Sequence, residues 1–281
     1  MNELKTSIFF QSPNFDICHC AHYKLILSLS AAQFLFALTN ESNEVFLLKV
    51  FPNTENNNEA AFLNKIFGAE PLLTQKYKAT IFISQAEKWL LIPADFLTLD
   101  KEEAYLEKIY GLSSHNYWIG KDYFASNELY NAYAVEKTLY QQITNHYSKC
   151  EVLHYITPLL KVHYMLHHRL SVLNSGILHI FEEKFVYTIF RDKKLLFCNV
   201  FPICNANDVL YYTLCVNQAL GLANDRLSLL ITGIADYCKE LQQLLYSFFT
   251  NILNPSDYFF KQPSFNKANL YHYHFSYLLL N

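Results

Sequence analysis

"LILSLSAAQFLFALTNESNEVFLLKVF", Leu25 to Phe51, reads as three strands joined by two tight turns. Apolar residues recur through Leu25–Leu29, Phe34–Leu38 and Val45–Phe51, and Asn40, Ser42 and Asn43 supply turn chemistry before the third strand. The first turn, Ser28-Leu29-Ser30-Ala31-Ala32, holds neither glycine nor acid. Whether this meander occurs once or twice decides the fold.

It occurs twice. "GILHIFEEKFVYTIFRDKKLLFCNVF", Gly176 to Phe201, again reads as three strands with two turns. Laid over the first copy, Ile26 falls on Ile177, Ser28 on His179, Phe34 on Phe185, Phe36 on Tyr187 and Leu38 on Ile189. After a one-residue difference in the second turn, Val50 and Phe51 fall on Val200 and Phe201. Each meander leads through an Asn-rich loop into a helix, "NNNEAAFLNKIF" or "NANDVLYYTLCVNQALG", and then into an apolar strand, "ATIFIS" or "LSLLIT". The order β-β-β-α-β-α thus repeats. The expectation is an α/β protein of two tandem lobes around mixed sheets, with domains at 1–150 and 151–281.

Composition narrows the class. Apolar residues make up 52% and charged ones 17%, as in globular chains. Six glycines are few for 281 residues, which disfavours a glycine-lined ligand loop. A net charge of −3 without a basic stripe excludes nucleic-acid binding driven by phosphate neutralisation. The longest apolar run, Leu25–Leu38, is broken by Ser28, Ser30 and Gln33 and falls short of the roughly 20 residues that a membrane-spanning helix needs. "MNELKTSIFF" has no secretory signal pattern, and seven cysteines without framework spacing suit reduced thiols in a cytoplasm.

Between the meanders, the sequence predicts a helix from Asn58 to Phe67 stopped by Gly68, strands "KATIFIS" and "KWLLIP", and a helix in "LDKEEAYLEKIYG" with acids in its first turn and Gly111 at its end. "LSSHNYWIGKDYFASNELYN" reads as irregular, containing a loop that crosses between lobes. "AYAV" is a short strand, "EKTLYQQITNHYS" a helix and "CEVLHYI" a strand; Thr157 and Pro158 are placed as the cap and first residue of a helix to about His168.

Two such lobes resemble the actin-like ATPase superfamily, whose lobes are ribonuclease-H-like. More narrowly, the chain is similar to a bacterial family of actin-like proteins related at a distance to the actin-like components of type IV pilus and type II secretion machines. The resemblance rests on the two meanders, on "LIPADFL" at Leu91–Leu97, "NELYNAYAV" at Asn127–Val135 and "LHYITPLL" at Leu153–Leu160, on "DVLYYTLCVNQALGL", and on "LLITGIADYCKELQQLL" at Leu229–Leu245. Their order along the chain carries it.

The resemblance implies a nucleotide held by the first hairpin of each lobe through an Asp-x-Gly turn. Glycine lets backbone N–H groups reach phosphate oxygens, and the aspartate organises Mg²⁺ and its waters. Here Ser28 stands for the aspartate and Ser30 for the glycine in the first lobe; His179 and Phe181 take those places in the second, followed by Glu182 and Glu183. A phosphate at that second turn meets like charge, costing about 1 kcal/mol at 4 Å even in bulk water. The adenosine-contacting glycine pair is reduced to Gly233 in "LLITGIAD". The expectation is a degenerate cofactor cleft formed by Ser28, Ser30, His179, Phe181 and Gly233, with no cofactor, no catalytic residue, and a protein partner. The alternative is an atypical ATP- and Mg-binding ATPase or kinase-like enzyme using Ser28, Ser30 and His179.

Other candidates favour packing. "CHCAH", Cys18–His22, has C-x-C rather than zinc-finger spacing, and on a strand Cys18, Cys20 and His22 share a face. His163 and His167 lie four apart on one helix face without a third ligand and are read as surface or inter-lobe histidines. Asp95, Asp100, Glu102 and Glu103 are strand-end and helix-start acids. "NLYHYHFSYLLLN" at the C-terminus is a closing strand or a short docking helix.

Overall fold

The computed structural model describes residues 6–53, 55, 58–97, 101–112, 115–233 and 235–253. Asp100 and the C-terminal "NLYHYHFSYLLLN" lie outside them. The chain divides into two compact units between Pro158 and Leu159.

The first unit opens with β1 (Ile8–Gln11), then the meander β2 (Lys24–Leu29), β3 (Gln33–Thr39) and β4 (Val45–Pro52). Helix α1 (Glu59–Ala69) and β5 (Ala79–Ser84) follow, and after an insertion come α3 (Lys137–His146) and β9 (Cys150–His154). One sheet results, in the order β1-β4-β3-β2-β5-β9. Strand β2 is the hinge of the arrangement: it pairs antiparallel with β3 and parallel with β5. Leu25, Leu27, Phe34 and Phe36 are fully buried, and β2 lacks alternation because both of its faces are covered.

The insertion is a separate three-stranded antiparallel sheet, β6 (Trp89–Pro93), β7 (Tyr117–Phe124) and β8 (Leu129–Glu136), in the order β6-β8-β7. Helix α2 (Glu102–Tyr110) packs Leu106 against Ile92, Ala132 and Ala134 on one face of it. The stretch expected to be an irregular inter-lobe crossing is therefore mostly a β-hairpin, turned at Glu128, whose φ is 54°.

Helix α4 (Ile156–Leu170) carries the chain from the first unit to the second. The second unit then repeats the plan: β10 (Asn174–Ile180), β11 (Lys184–Arg191), β12 (Lys194–Pro202), α5 (Ala206–Ala219), β13 (Ser228–Gly233), α6 (Ala235–Leu245) and β14 (Ile252–Leu253). Its sheet runs β12-β11-β10-β13-β14, the same order as β4-β3-β2-β5-β9.

The duplication extends to single hydrogen bonds. Ser30 N–H donates to Gln33 O at 2.9 Å and Phe181 N–H to Lys184 O at 2.8 Å, so both hairpins close on a two-residue tip. The residue after each third strand then ties the tip: Asn53 N–H donates to Ala32 O and Ile203 N–H to Glu183 O. Asn58 caps α1 through Ala61 N–H, and Asn205 caps α5 in a capping box with Asp208.

Four local expectations are corrected. Helix α1 passes Gly68 and stops at Ala69, because Glu70 next caps the following turn through Leu72 N–H. Cys18–His22 belongs to a 3-10 turn, Ile17–His22, started by Asp16 accepting from Cys18 N–H, so only Cys20 of the three points inward. Thr157 is no cap but the second residue of α4. His163 and His167 are core residues of the second unit, 0% and 2% exposed.

Candidate functional site

In the first unit, the turn after β2 is closed by its own atoms. Ser30 Oγ accepts from Gln33 N–H at 3.2 Å, while Ser30 N–H is bound to Gln33 O. The tip carbonyls are taken by Asn53, whose N–H reaches Ala32 O at 2.7 Å and whose Nδ2 reaches Ala31 O at 2.9 Å. Ser28 sits two residues earlier, 3% exposed, between Leu35 on β3 and Ile83 on β5. Its hydroxyl accepts from Gln85 Nε2 at 3.3 Å. A buried neutral hydroxyl held by an amide offers Mg²⁺ no carboxylate oxygen.

In the second unit, the equivalent turn has the same backbone ties but is flanked by an aromatic ring instead of a serine. Phe181 is 7% exposed and its ring centroid lies 4.7 Å from that of His179. Lys184 Nζ stands 5.8 Å from the same ring. The tip residues Glu182 and Glu183 face solvent. His179 Nδ1 lies 2.9 Å from Thr232 Oγ1, and that hydroxyl donates to Leu178 O at 3.2 Å. The single hydroxyl proton is thus spent on the carbonyl, which makes His179 Nδ1 the donor of the pair.

Gly233 ends β13 beside Ile180. With φ at +104°, a Cβ there would fall 2.1 Å from Ile180 O and 2.5 Å from Ile180 N. Two backbones meeting at contact distance account for this glycine.

Two further buried polar sets escaped sequence reasoning. In the second unit, His163 Nδ1 meets Thr188 Oγ1 at 2.7 Å and His167 Nδ1 meets Ser175 Oγ at 2.7 Å. His167 Nε2 accepts from Lys193 N–H at 3.3 Å, so its proton is on Nδ1. Burial pushes His163 from 6.5 down to about 3 and lowers His167 as well. Both are neutral packing histidines. In the first unit, Asp122 Oδ2 accepts from His154 N–H at 2.9 Å and from Thr157 Oγ1 at 2.7 Å, and Asp122 Oδ1 lies 3.0 Å from Tyr133 Oη. Asn131 Nδ2 bonds Thr157 Oγ1 and His154 Nδ1, and His154 Nε2 donates to Ala86 O at 2.8 Å. This set anchors β7 and β8 to the junction of β9 and α4. The one sequence signal for it was polar residues, Asp122 and Asn131, at the inward parity of their strands.

Chemically, neither turn holds an aspartate or a glycine; the second carries Glu182 and Glu183 exposed at its tip and Lys184 beside the Phe181 ring. Among the described residues no group of three His, Cys, Asp or Glu is placed to hold a metal, and no helix is long and apolar enough to cross a membrane.

A family model described as "Protein of unknown function (DUF3822)" matches residues 12–252. None of the curated proteins matches the chain. Among solved structures, a Bacteroides thetaiotaomicron protein with an actin-like ATPase fold and unknown function superposes with a TM-score of 0.78 at 19% identity, over 87% of this chain and 95% of that one. The PilM–PilN type IV pilus biogenesis complex matches with a TM-score of 0.58 at 11% identity, over 91% of this chain and 96% of that one. At these identities the likeness establishes the actin-like ATPase fold.

Proposed function

This chain belongs to the DUF3822 family of proteins of unknown function; we propose that it is a binding-only protein on an actin-like scaffold, acting through protein partners rather than through phosphoryl transfer. One observation carries the reading: at the turn where the superfamily places its phosphate-binding residues, the first unit has serines bonded within the protein and the second has a buried aromatic ring. Ser30 is locked to Gln33 and Ser28 to Gln85; Phe181 flanks the second turn and is followed by two exposed acids. Phosphoryl transfer depends on positioning and charge stabilisation, and these turns supply neither.

The match to a structure described as a type IV pilus biogenesis complex supports assembly as the kind of work such a scaffold does. The seven cysteines fit a cytoplasmic setting, where thiols stay reduced. No nucleotide, metal or other cofactor enters this reading.

The test is thermal unfolding of the full chain with and without Mg-ATP, alongside a phosphate-release assay. We expect an unchanged melting temperature and no hydrolysis. A ligand present at 100 times its Kd would add about 2.7 kcal/mol of stability, a shift of several degrees. A rise of that size would overturn the reading in favour of an atypical ATPase or kinase-like enzyme.

A further inference from the structure

The third strand of each meander lies at the outer side of its sheet. In the first unit it is covered: β1 runs antiparallel along β4, with Ile8 opposite Val50 and Phe10 opposite Leu48, and Ser12 N–H donates to Phe46 O at 2.8 Å. In the second unit β12 is the last strand of the order, and no described strand pairs with its outer side.

The two edges are in phase. Val50 faces Leu35 on β3 as Val200 faces Val186 on β11. The outward backbone groups of Phe46, Leu48 and Val50 thus correspond to those of Leu196, Cys198 and Val200. Val200 confirms this phase, because its N–H turns away from β11 and is taken by Asn199 Oδ1 at 2.9 Å. Leu196 is 39% exposed, and Cys198 and Val200 are half-buried. A long open edge invites pairing unless charge, proline, a bulge or a cover blocks it; β12 is bulged at Leu196, but β4 is bulged at the matching Phe46 and its carbonyl there still accepts from Ser12 N–H. Lys194 and Pro202 stand only at the two ends of β12, and Leu195–Phe201 carries no charge.

We propose that β12 is a self-association surface: two copies of this chain pair antiparallel along β12 about a two-fold axis at Cys198, joining their five-stranded sheets. The β1–β4 pair sets the antiparallel direction. The second copy is the fitting occupant because β12 is complementary to itself in this register. Leu196 falls opposite Val200 of the second copy, and Lys194, the strand's only charge, falls opposite a proline instead of a like charge. Pairing exchanges the Asn199–Val200 bond for ladder bonds. This surface stands independently of the nucleotide question.

Light scattering of the full chain tests it. The expected mass is twice the 32.9 kDa of one chain. Cys198→Pro removes an outward donor while sparing the ladder to β11, and Leu196→Lys puts charge on both sides of the new seam. Each variant is expected to halve the mass with an unchanged circular dichroism spectrum. If Cys198→Pro fails to fold, Leu196→Lys alone decides. A wild-type chain that scatters as a monomer across the micromolar range, or a folded Leu196→Lys that stays dimeric, overturns the proposal.

Discussion

Gly233 and His163 show how single residues in this fold are fixed by backbone and burial. Gly233 has no space for a Cβ, since Ile180 O would lie 2.1 Å away, and its φ of +104° suits no other residue. Gly111 also has positive φ, +63°, but nothing within 4 Å of its Cβ position. Gly111→Ala should therefore cost only about 1 kcal/mol of left-handed strain, whereas Gly233→Ala should cost about 3 kcal/mol or more because a strand must also move. Denaturant midpoints of the two variants check the ranking; equal losses would contradict it. His163 gives a pH dependence. The unfolded chain takes up its proton below 6.5, while the folded one resists until about 3. The neutral ring's contribution is complete above the unfolded value and is lost at about 1.4 kcal/mol per pH unit as pH falls below it. His167, lowered by burial in the same direction, adds to that slope. Urea midpoints measured on the acid side should fall less steeply for His163→Leu than for the wild type, and parallel slopes would count against this assignment.

At the scale of elements, α4 is the instructive case. Its first N–H groups have no partner in the helix itself. The sequence offers Thr157 as a cap, but the Thr157 hydroxyl donates to Asp122 on β7, and Asp122 also holds His154 N–H just before the helix. The acid thus organises the helix start from a different sheet. Asp122→Asn should cost about 2 kcal/mol, and Thr157→Val about 1 kcal/mol, in chemical denaturation of the full chain. A loss for Asp122→Asn no larger than that of a surface substitution would show the bonds to be idle. The same residues explain why the β7–β8 hairpin read as irregular. Asp122 and Asn131 occupy inward positions, so the apolar alternation that announces a strand is broken where the network is densest. The strand "KWLLIP" was legible as a strand, but nothing local said that it leaves the main sheet to pair with β8.

For the whole molecule, the repeated strand order and the paired turn bonds in the two units mark one plan used twice, with the same tip geometry built from unlike residues. Two alanines after Ser30 make the first tip, and two glutamates after Phe181 the second. The proposed loss of phosphate chemistry from both copies would fit a protein selected for surfaces, and so would the unequal sheet edges, one covered by β1 and the other, at β12, paired on its outer side with no described strand. The absence of a Mg-ATP stabilisation and the doubled mass in light scattering are the two outcomes expected at this scale, and either can fail without the other.

The sequence by itself determined the two meanders, their order with the following helices, and the equivalence of Ser28 with His179 and of Ser30 with Phe181, because hairpin register and apolar period are local properties of the chain. Only the tertiary structure decided which buried polar groups find each other. His163 with Thr188, Asp122 with Thr157 and Gln85 with Ser28 are pairs whose members are distant in sequence, and their cost or benefit exists only once water has been excluded around both.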